Sequence, residues 1–297
     1  MIRGLICLIS LHATAFAMNW NEVLENHQEV LSDKSVVSRQ YEAFSKSEAP
    51  AIVDPRIKEI PIAENGEELV DIKLLNCERI SMMPQPKSPF EGPSFNSGLP
   101  NASKMRASVF LKLQKMIDQL DKVAIDFGYE RGQIDILVFE GLRDLSIQKM
   151  LFEKKLEEIR LLNPDMSIEA AEKETAKWIS PVKNNTPVHS TGAAVDIRLW
   201  DNKNNDFLDL GPFGVIWGVS HLAPTFSEDI TDIQKNNRLY CLIAAERAGL
   251  TNYVYEWWHF SFGDRYAVYW KDQKSQEKVA LYGSVEYTQT TSKVGYN

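Results

Sequence analysis

The sequence predicts an α+β fold in which helices flank a central, mostly antiparallel sheet. Three observations carry that prediction. Apolar residues recur at three- and four-residue spacing from Asn101 to Phe127 and from Asp232 to Ala248, the period of amphipathic helices. The runs "QIDILVFEG" and "AAVDIRLW" have the branched, apolar character of buried strands. Those strands stand apart from one another among clustered helices, without the regular strand–helix repeat of a parallel sheet.

Each element can be justified in turn. "LVDIKLL" reads as an early strand, and "PQPKSPFEGPSFNSGLP" (Pro84 to Pro100) is too rich in Pro, Gly and Ser to be a helix or a central strand. The first long helix places Met105, Val109, Leu113, Met116, Leu120, Ala124 and Phe127 on one stripe, with Asn101 or Ser103 available as N-cap. After the strand Gln133–Gly141, helical segments run from Leu145 to Leu162 and from Ser167 to Ile179, broken at Asn163-Pro164-Asp165. Ala193–Trp200 forms a second strand, and Asn202–Asn205 a polar turn. The helix Asp232–Ala248 stops at Gly249; "WWHFSF" follows as a third strand, and "YAVYW" is expected to extend the sheet.

Composition narrows the function. The chain has 297 residues, 44% hydrophobic and 25% charged, enough for a sizeable core. A net charge of −8 argues against nucleic acid or an anionic membrane as the main partner, and no apolar run reaches the length of a spanning helix. The N-terminus "MIRGLICLISLHATAFAMNW" has a cation at Arg3, an apolar stretch and Ala15-Phe16-Ala17, the layout of a secretory signal peptide cleaved after Ala17. The expected organisation is therefore a signal peptide over 1–17, an extension over 18–100 wrapping the main domain, and that domain over 101–297, located in the periplasm or secreted. Of the cysteines, Cys7 leaves with the signal segment; Cys77 and Cys241 either pair or remain as buried thiols, and neither has zinc-finger spacing.

Two short stretches carry chemistry. In "PVHSTGAAVDIRLW", His189 and Asp196 lie seven apart, and strand alternation places Ala194, Asp196 and Arg198 on one face against Val195, Ile197 and Leu199 on the other. A carboxylate in such a run needs a partner or a metal; an Arg or a backbone amide would serve as well. In "YEWWHFSF", Trp257, His259 and Ser261 share one face, Trp258, Phe260 and Phe262 the other, and Glu256 sits where the chain can turn it back towards His259. Taken singly, His259 fits a hydrogen-bonded core histidine equally well. Taken together, two His and one Asp make three zinc ligands with a fourth position left for water, the composition of a catalytic zinc site. Glu256 is then placed to take a proton from that water and pass it to a leaving amine. Arg143, just after "ILVFEG", is the cation best placed to support a developing oxyanion, its alternative role being a helix-start ion pair. Among the other histidines, His12 leaves with the signal segment, His27 reads as a surface residue and His221 is the one rival ligand.

These residues resemble a known family. "HSTGAAVDIRL" fits the His-x-x-Gly-x-Ala-x-Asp signature of the zinc D-alanyl-D-alanine dipeptidases, the family that includes the vancomycin-resistance dipeptidase. "NRLYCLIAAERAGLTNYVYEWWHFSFGDRY" is similar to that family's closing helix and Glu-Trp-Trp-His, and "FEGLRDLSIQKMLF" to the segment with its transition-state arginine. The resemblance spans roughly Asn101 to Trp270. It implies one zinc ion held by His189, Asp196 and His259, Glu256 as general acid/base, and Arg143 supporting the tetrahedral intermediate. It also implies the small α+β zinc-peptidase fold shared with D,D-carboxypeptidases and the Hedgehog signalling domain, and D-Ala-D-Ala or a close relative as substrate. Two positions depart from the vancomycin-resistance enzyme: Pro187 replaces a Ser, and Gly214 an Asp suited to a dipeptide's ammonium. Specificity is thus open between the free dipeptide and longer peptidoglycan stems cut by a D,D- or L,D-carboxypeptidase or endopeptidase. A zinc-bearing binding module without turnover is disfavoured by the intact set of Glu256 and Arg143.

Overall fold

The computed structural model describes residues 17–28, 35–83, 100–176, 179–213, 220–271 and 278–285. Apart from Ala17, the expected signal peptide lies outside the described residues, as do Cys7, His12, Gly214 and almost all of the Pro84–Pro100 stretch. Strands β1 (Leu69–Asp71), β2 (Ile80–Met82), β3 (Lys104–Arg106), β4 (Ile134–Glu140), β5 (Ala194–Asp201), β6 (Asp206–Phe207), β7 (Thr251–Tyr253) and β8 (Glu256–Ser261) alternate irregularly with helices. The helices are α1 (Trp20–Glu25), α2 (Val36–Ser45), α3 (Pro55–Lys58), α4 (Ala107–Val123), α5 (Leu145–Leu162), α6 (Ile168–Thr175), α7 (Asp232–Ala248) and α8 (Arg265–Trp270).

The main sheet has the order β2-β4-β5-β8-β7, with β6 paired to β5; β2–β4 is parallel and the other pairings are antiparallel. Strands β1 and β3 form a separate antiparallel pair. This is the expected α+β architecture. One face of the sheet, with Ile134, Ile136, Val138, Val195, Ile197, Leu199 and Phe260, packs into an apolar core with α4 and α7. Each fully buried aliphatic side chain there contributes on the order of 2 kcal/mol. Helix α7 ends at Gly249 with φ 87°, as its sequence predicts, and starts with a capping box, Thr231 with Gln234.

The segment before Asn101 joins the same core through Trp20, Val23, Val37, Ile72 and Ile80. It also reaches β7 directly, where Gln40 Nε2 donates to the Asn252 carbonyl at 2.8 Å. Cys77 and Cys241 are both free thiols. Among the described residues no helix is long and apolar enough to cross a membrane.

Three local expectations are corrected. Helix α4 begins at Ala107, because Lys104–Arg106 pairs with β1 as a strand. Asn101 is therefore no N-cap, and its amide instead donates to the Asp144 carboxylate at 2.9 Å. "LVDIKLL" is a strand only to Asp71, whose side chain then caps a short 3₁₀ turn, Ile72–Leu74, by accepting from the Lys73 amide. "YAVYW" is helix α8 and adds nothing to the sheet, since Asp264 accepts from the amides of Tyr266 and Ala267 and starts a helix. A five-residue aromatic run fits either period, and the cap decides.

Candidate metal centre and active site

The site lies on the sheet face opposite the α4–α7 core. Pairing sets Glu140, Asp196 and His259 side by side across β4, β5 and β8, a polar row in a sheet whose other face is apolar. A bulge between Val138 and Glu140 re-aims the end of β4 and brings Glu140 into this row.

His189 arrives from a 3₁₀ turn, Val188–Thr191, that folds on itself. Ser190 and Thr191 donate their hydroxyls to the carbonyls of Pro187 and Val188, both at 2.6 Å. Gly192 closes the turn at φ 70°, where an added Cβ would stand 2.7 Å from Leu69 Cδ2. The ring is fixed by Gly141, whose carbonyl lies 2.8 Å from His189 Nδ1. With Nδ1 donating to that carbonyl, Nε2 presents its lone pair to Asp196 and His259. Gly141 itself must lack a Cβ, which would collide with the Lys104 carbonyl.

Glu256 and His259 come from a tight β7–β8 hairpin. Tyr253 pairs with Glu256 across two turn residues, and Asn252 Nδ2 donates to the carbonyls of Trp257 and His259 at 3.2 and 3.0 Å. Thr225 donates to Asn252 Oδ1 at 2.6 Å, so this buried amide is engaged on both sides. Both tryptophans of the motif are buried, Trp257 donating its Nε1 to the Pro212 carbonyl at 2.7 Å.

Three atoms converge at the centre. Asp196 Oδ1 lies 3.3 Å from His189 Nε2 and 3.0 Å from His259 Nδ1, and the two ring nitrogens are 3.1 Å apart. All three residues are buried and offer ligand atoms within 4.8 Å of one another. Asp196 Oδ1 has no hydrogen-bond donor despite its burial. An orphaned carboxylate oxygen between two imidazole nitrogens fits a cation, and two nitrogens with one oxygen suit a divalent transition metal such as zinc. His221 is exposed and stands outside this cluster, while His27 is half-buried and stacks on Phe127 with 4.3 Å between centroids.

The charges around the centre are ordered. Burial pushes the Asp196 carboxyl up, but His189 and His259 outweigh it and hold the group well below the usual carboxylate range. Glu256 Oε2 lies 3.8 Å from His259 Nδ1 and keeps 24% side-chain exposure. Its carboxyl is raised above the ordinary value, chiefly by loss of solvent, with Asp196 adding to the rise and His259 opposing it. Arg143 donates Nε and Nη2 to Glu140 at 2.8 and 2.5 Å and Nη1 to Gln148 Oε1 at 2.9 Å. Burial disfavours its charge, yet Glu140, then Asp196 and Glu256, keep it firmly protonated. Among the described residues three of its five N–H groups are thus occupied, which leaves two to meet a ligand.

All five residues singled out in the sequence lie in or beside one row of the sheet. Arg143 is also the ion pair that the alternative reading offered. The sequence did not point to Glu140, Gln148 or Asn252, which fix Arg143 and the hairpin. An acidic residue closing an apolar strand three positions before an arginine was the available signal for Glu140.

Comparisons with known proteins concern the chain as a whole. The D-ala-D-ala dipeptidase family description matches residues 114–279. A curated relative, the D-alanyl-D-alanine dipeptidase of Synechocystis sp. (strain ATCC 27184 / PCC 6803 / Kazusa), is 26% identical over 251 residues, covering 76% of this chain and 95% of that protein. The solved structure of the LdcB LD-carboxypeptidase aligns over 70% of this chain and 74% of that one, at 16% identity and a TM-score of 0.36. Since the family match takes in more than half of the 297 residues, this chain belongs to the D-ala-D-ala dipeptidase family.

Proposed function

We propose that the protein is a zinc-dependent peptidase that hydrolyses the D-Ala-D-Ala dipeptide, a precursor or turnover product of the cell wall. The convergence of His189, Asp196 and His259 around an unsatisfied carboxylate oxygen, with Glu256 beside them, carries this reading. A zinc ion held by those three residues would polarise the scissile carbonyl and make a bound water acidic.

The chain's own residues do the rest. Glu256, its pKa raised by burial, is suited to take a proton from the attacking water at Oε2 and return it to the leaving amine. Arg143, oriented by Glu140 and Gln148, offers its free N–H groups to the oxygen that gains charge. The Gly141 carbonyl holds His189 in the tautomer that leaves Nε2 free. The segment 18–100 is read as a wrapping extension that braces β7 through Gln40. Export to the periplasm or cell exterior, after cleavage near Ala17, follows from the N-terminal sequence and from the cell-wall origin of the substrate.

The test is a substrate panel. Zinc-loaded protein is expected to release D-alanine from D-Ala-D-Ala and to leave L-Ala-L-Ala intact. Cleavage of a stem pentapeptide alone would replace this reading with a D,D- or L,D-carboxypeptidase.

A further inference from the structure

Strand β5 carries a second functional group past its metal ligand. Arg198 lies two residues beyond Asp196, on the same face by alternation, one row along the sheet. Its guanidinium carbon sits 3.7 Å from the centroid of the Phe207 ring and 5.6 Å from that of Phe213. Phe213 in turn contacts Phe139 on β4, with centroids 4.7 Å apart, and Trp257 at 5.9 Å. Arg198 therefore stands against aromatic rings from β6 and from the loop after it, and Phe213 links them to rings of β4 and β8.

This cation lacks the partners that its counterparts have. Arg238 donates to the carbonyls of Leu210, Pro224, Thr225 and Leu222. Arg106 is held by Thr191, Glu67 and Glu64, and Arg143 by Glu140 and Gln148. Arg198 Nε is buried and has no hydrogen-bond partner. Among the described residues no carboxylate lies within ion-pair distance of its guanidinium. Asp206 and Asp209 act on it only from farther away; Asp206 is engaged with the Phe207 amide, and Asp209 with Gly211 and Gln234. Cation–π contact offsets only part of the cost of burying a guanidinium that accepts no anion.

We propose that Arg198 receives the C-terminal carboxylate of the substrate and so determines specificity for peptides that end one residue after the cleaved bond. Two residues along a strand advance about 7 Å. In a dipeptide the terminal carboxylate carbon follows the scissile carbonyl by three bonds, about 4 Å. With the carbonyl at the His189–Asp196–His259 centre, a carboxylate directed along β5 extends towards the row that carries Arg198, whose guanidinium fork matches it in shape and charge. The inference rests on the peptidase reading of the site and adds to it the group that measures peptide length.

The test compares zinc-loaded wild type, Arg198→Met and Arg198→Lys on D-Ala-D-Ala and on its C-terminal carboxamide. Wild type is expected to favour the free acid by about tenfold or more in kcat/KM. Arg198→Met should erase that preference, mainly through KM, while its kcat/KM on the carboxamide stays within about twofold of wild type. Arg198→Lys should fall between them, and carries the test with wild type if the Met variant does not fold. Equal use of acid and amide by wild type, or an equal loss on both in either variant, would overturn the proposal. If wild type cleaves neither, the peptidase reading fails, and calorimetric binding decides Arg198. Binding of the acid over the amide that depends on Arg198 supports the assignment, and its absence overturns it.

Discussion

Asp196 and His259 stand directly opposite each other on β5 and β8, and the carboxylate oxygen Oδ1 of one lies 3.0 Å from the ring nitrogen Nδ1 of the other. Neighbouring strands bring together two residues 63 positions apart in the chain, and His189 closes the group from a turn just before β5. The sheet therefore fixes two of the proposed ligands and the turn fixes the third, which separates the roles that substitutions will disturb.

Loss of a ligand should cost the metal itself. Replacement His259→Ala is expected to weaken zinc binding by more than about 100-fold, the upper end of what losing a supporting hydrogen bond costs. Metal analysis after dialysis checks this; full zinc occupancy in the variant would exclude His259 as a ligand.

Gly192 should matter through backbone geometry. In Gly192→Ala a side chain enters at φ 70° and meets Leu69, so a loss of about 1–3 kcal/mol is expected. That corresponds to a Tm lower by about 2–4 °C for each kcal/mol. An unchanged Tm in thermal unfolding would show that the turn carrying His189 relaxes freely.

Glu140 should act on turnover by way of Arg143. In Glu140→Gln the guanidinium loses its charged partner but not the space around it, and kcat is expected to fall by about 10- to 100-fold with KM little changed. Steady-state kinetics separates this from a general fault in folding, which would lower the active fraction and leave the per-site pH profile as in wild type.

Acid should reveal the pair that ties the end of α4 to the chain entering β2. Arg79 donates to both oxygens of Asp121, at 2.7 and 3.0 Å. Burial pushes the Asp121 carboxyl up, yet Arg79 prevails and holds it below the usual range. A depressed carboxylate stabilises the fold fully above its unfolded value, about pH 4, and the contribution disappears as pH falls through the lower folded value. Wild type should thus lose Tm more steeply below about pH 4 than Asp121→Asn does. Parallel profiles would contradict this.

Much of the candidate site was legible because its residues sit in short patterns that, taken together, narrow the readings each leaves open alone. The small residues between His189 and Asp196 announce a close-packed turn into a buried strand, and alternation from Asp196 or His259 sorts the open face from the packed one. What escaped depends on pairing between distant segments. Glu140 matters because a bulge in β4 aligns it with Asp196, and Asn252 because a hairpin folds three carbonyls towards it. The start of α4 was misread for the same reason, since Lys104–Arg106 is a strand only by virtue of β1. At "YAVYW" the local signal was present in Asp264, whose capping side chain outweighs the aromatic pattern.

The central claim, that Glu256 moves the proton at a zinc site built from His189, Asp196 and His259, is tested most directly by D-alanine release from D-Ala-D-Ala. Wild type and Glu256→Ala are to be compared at equal, measured zinc content. The account predicts about one zinc per chain in both proteins, release by wild type, and a rate lower by a factor of about 10² to 10⁴ in the variant. Turnover by Glu256→Ala at the wild-type rate would contradict it.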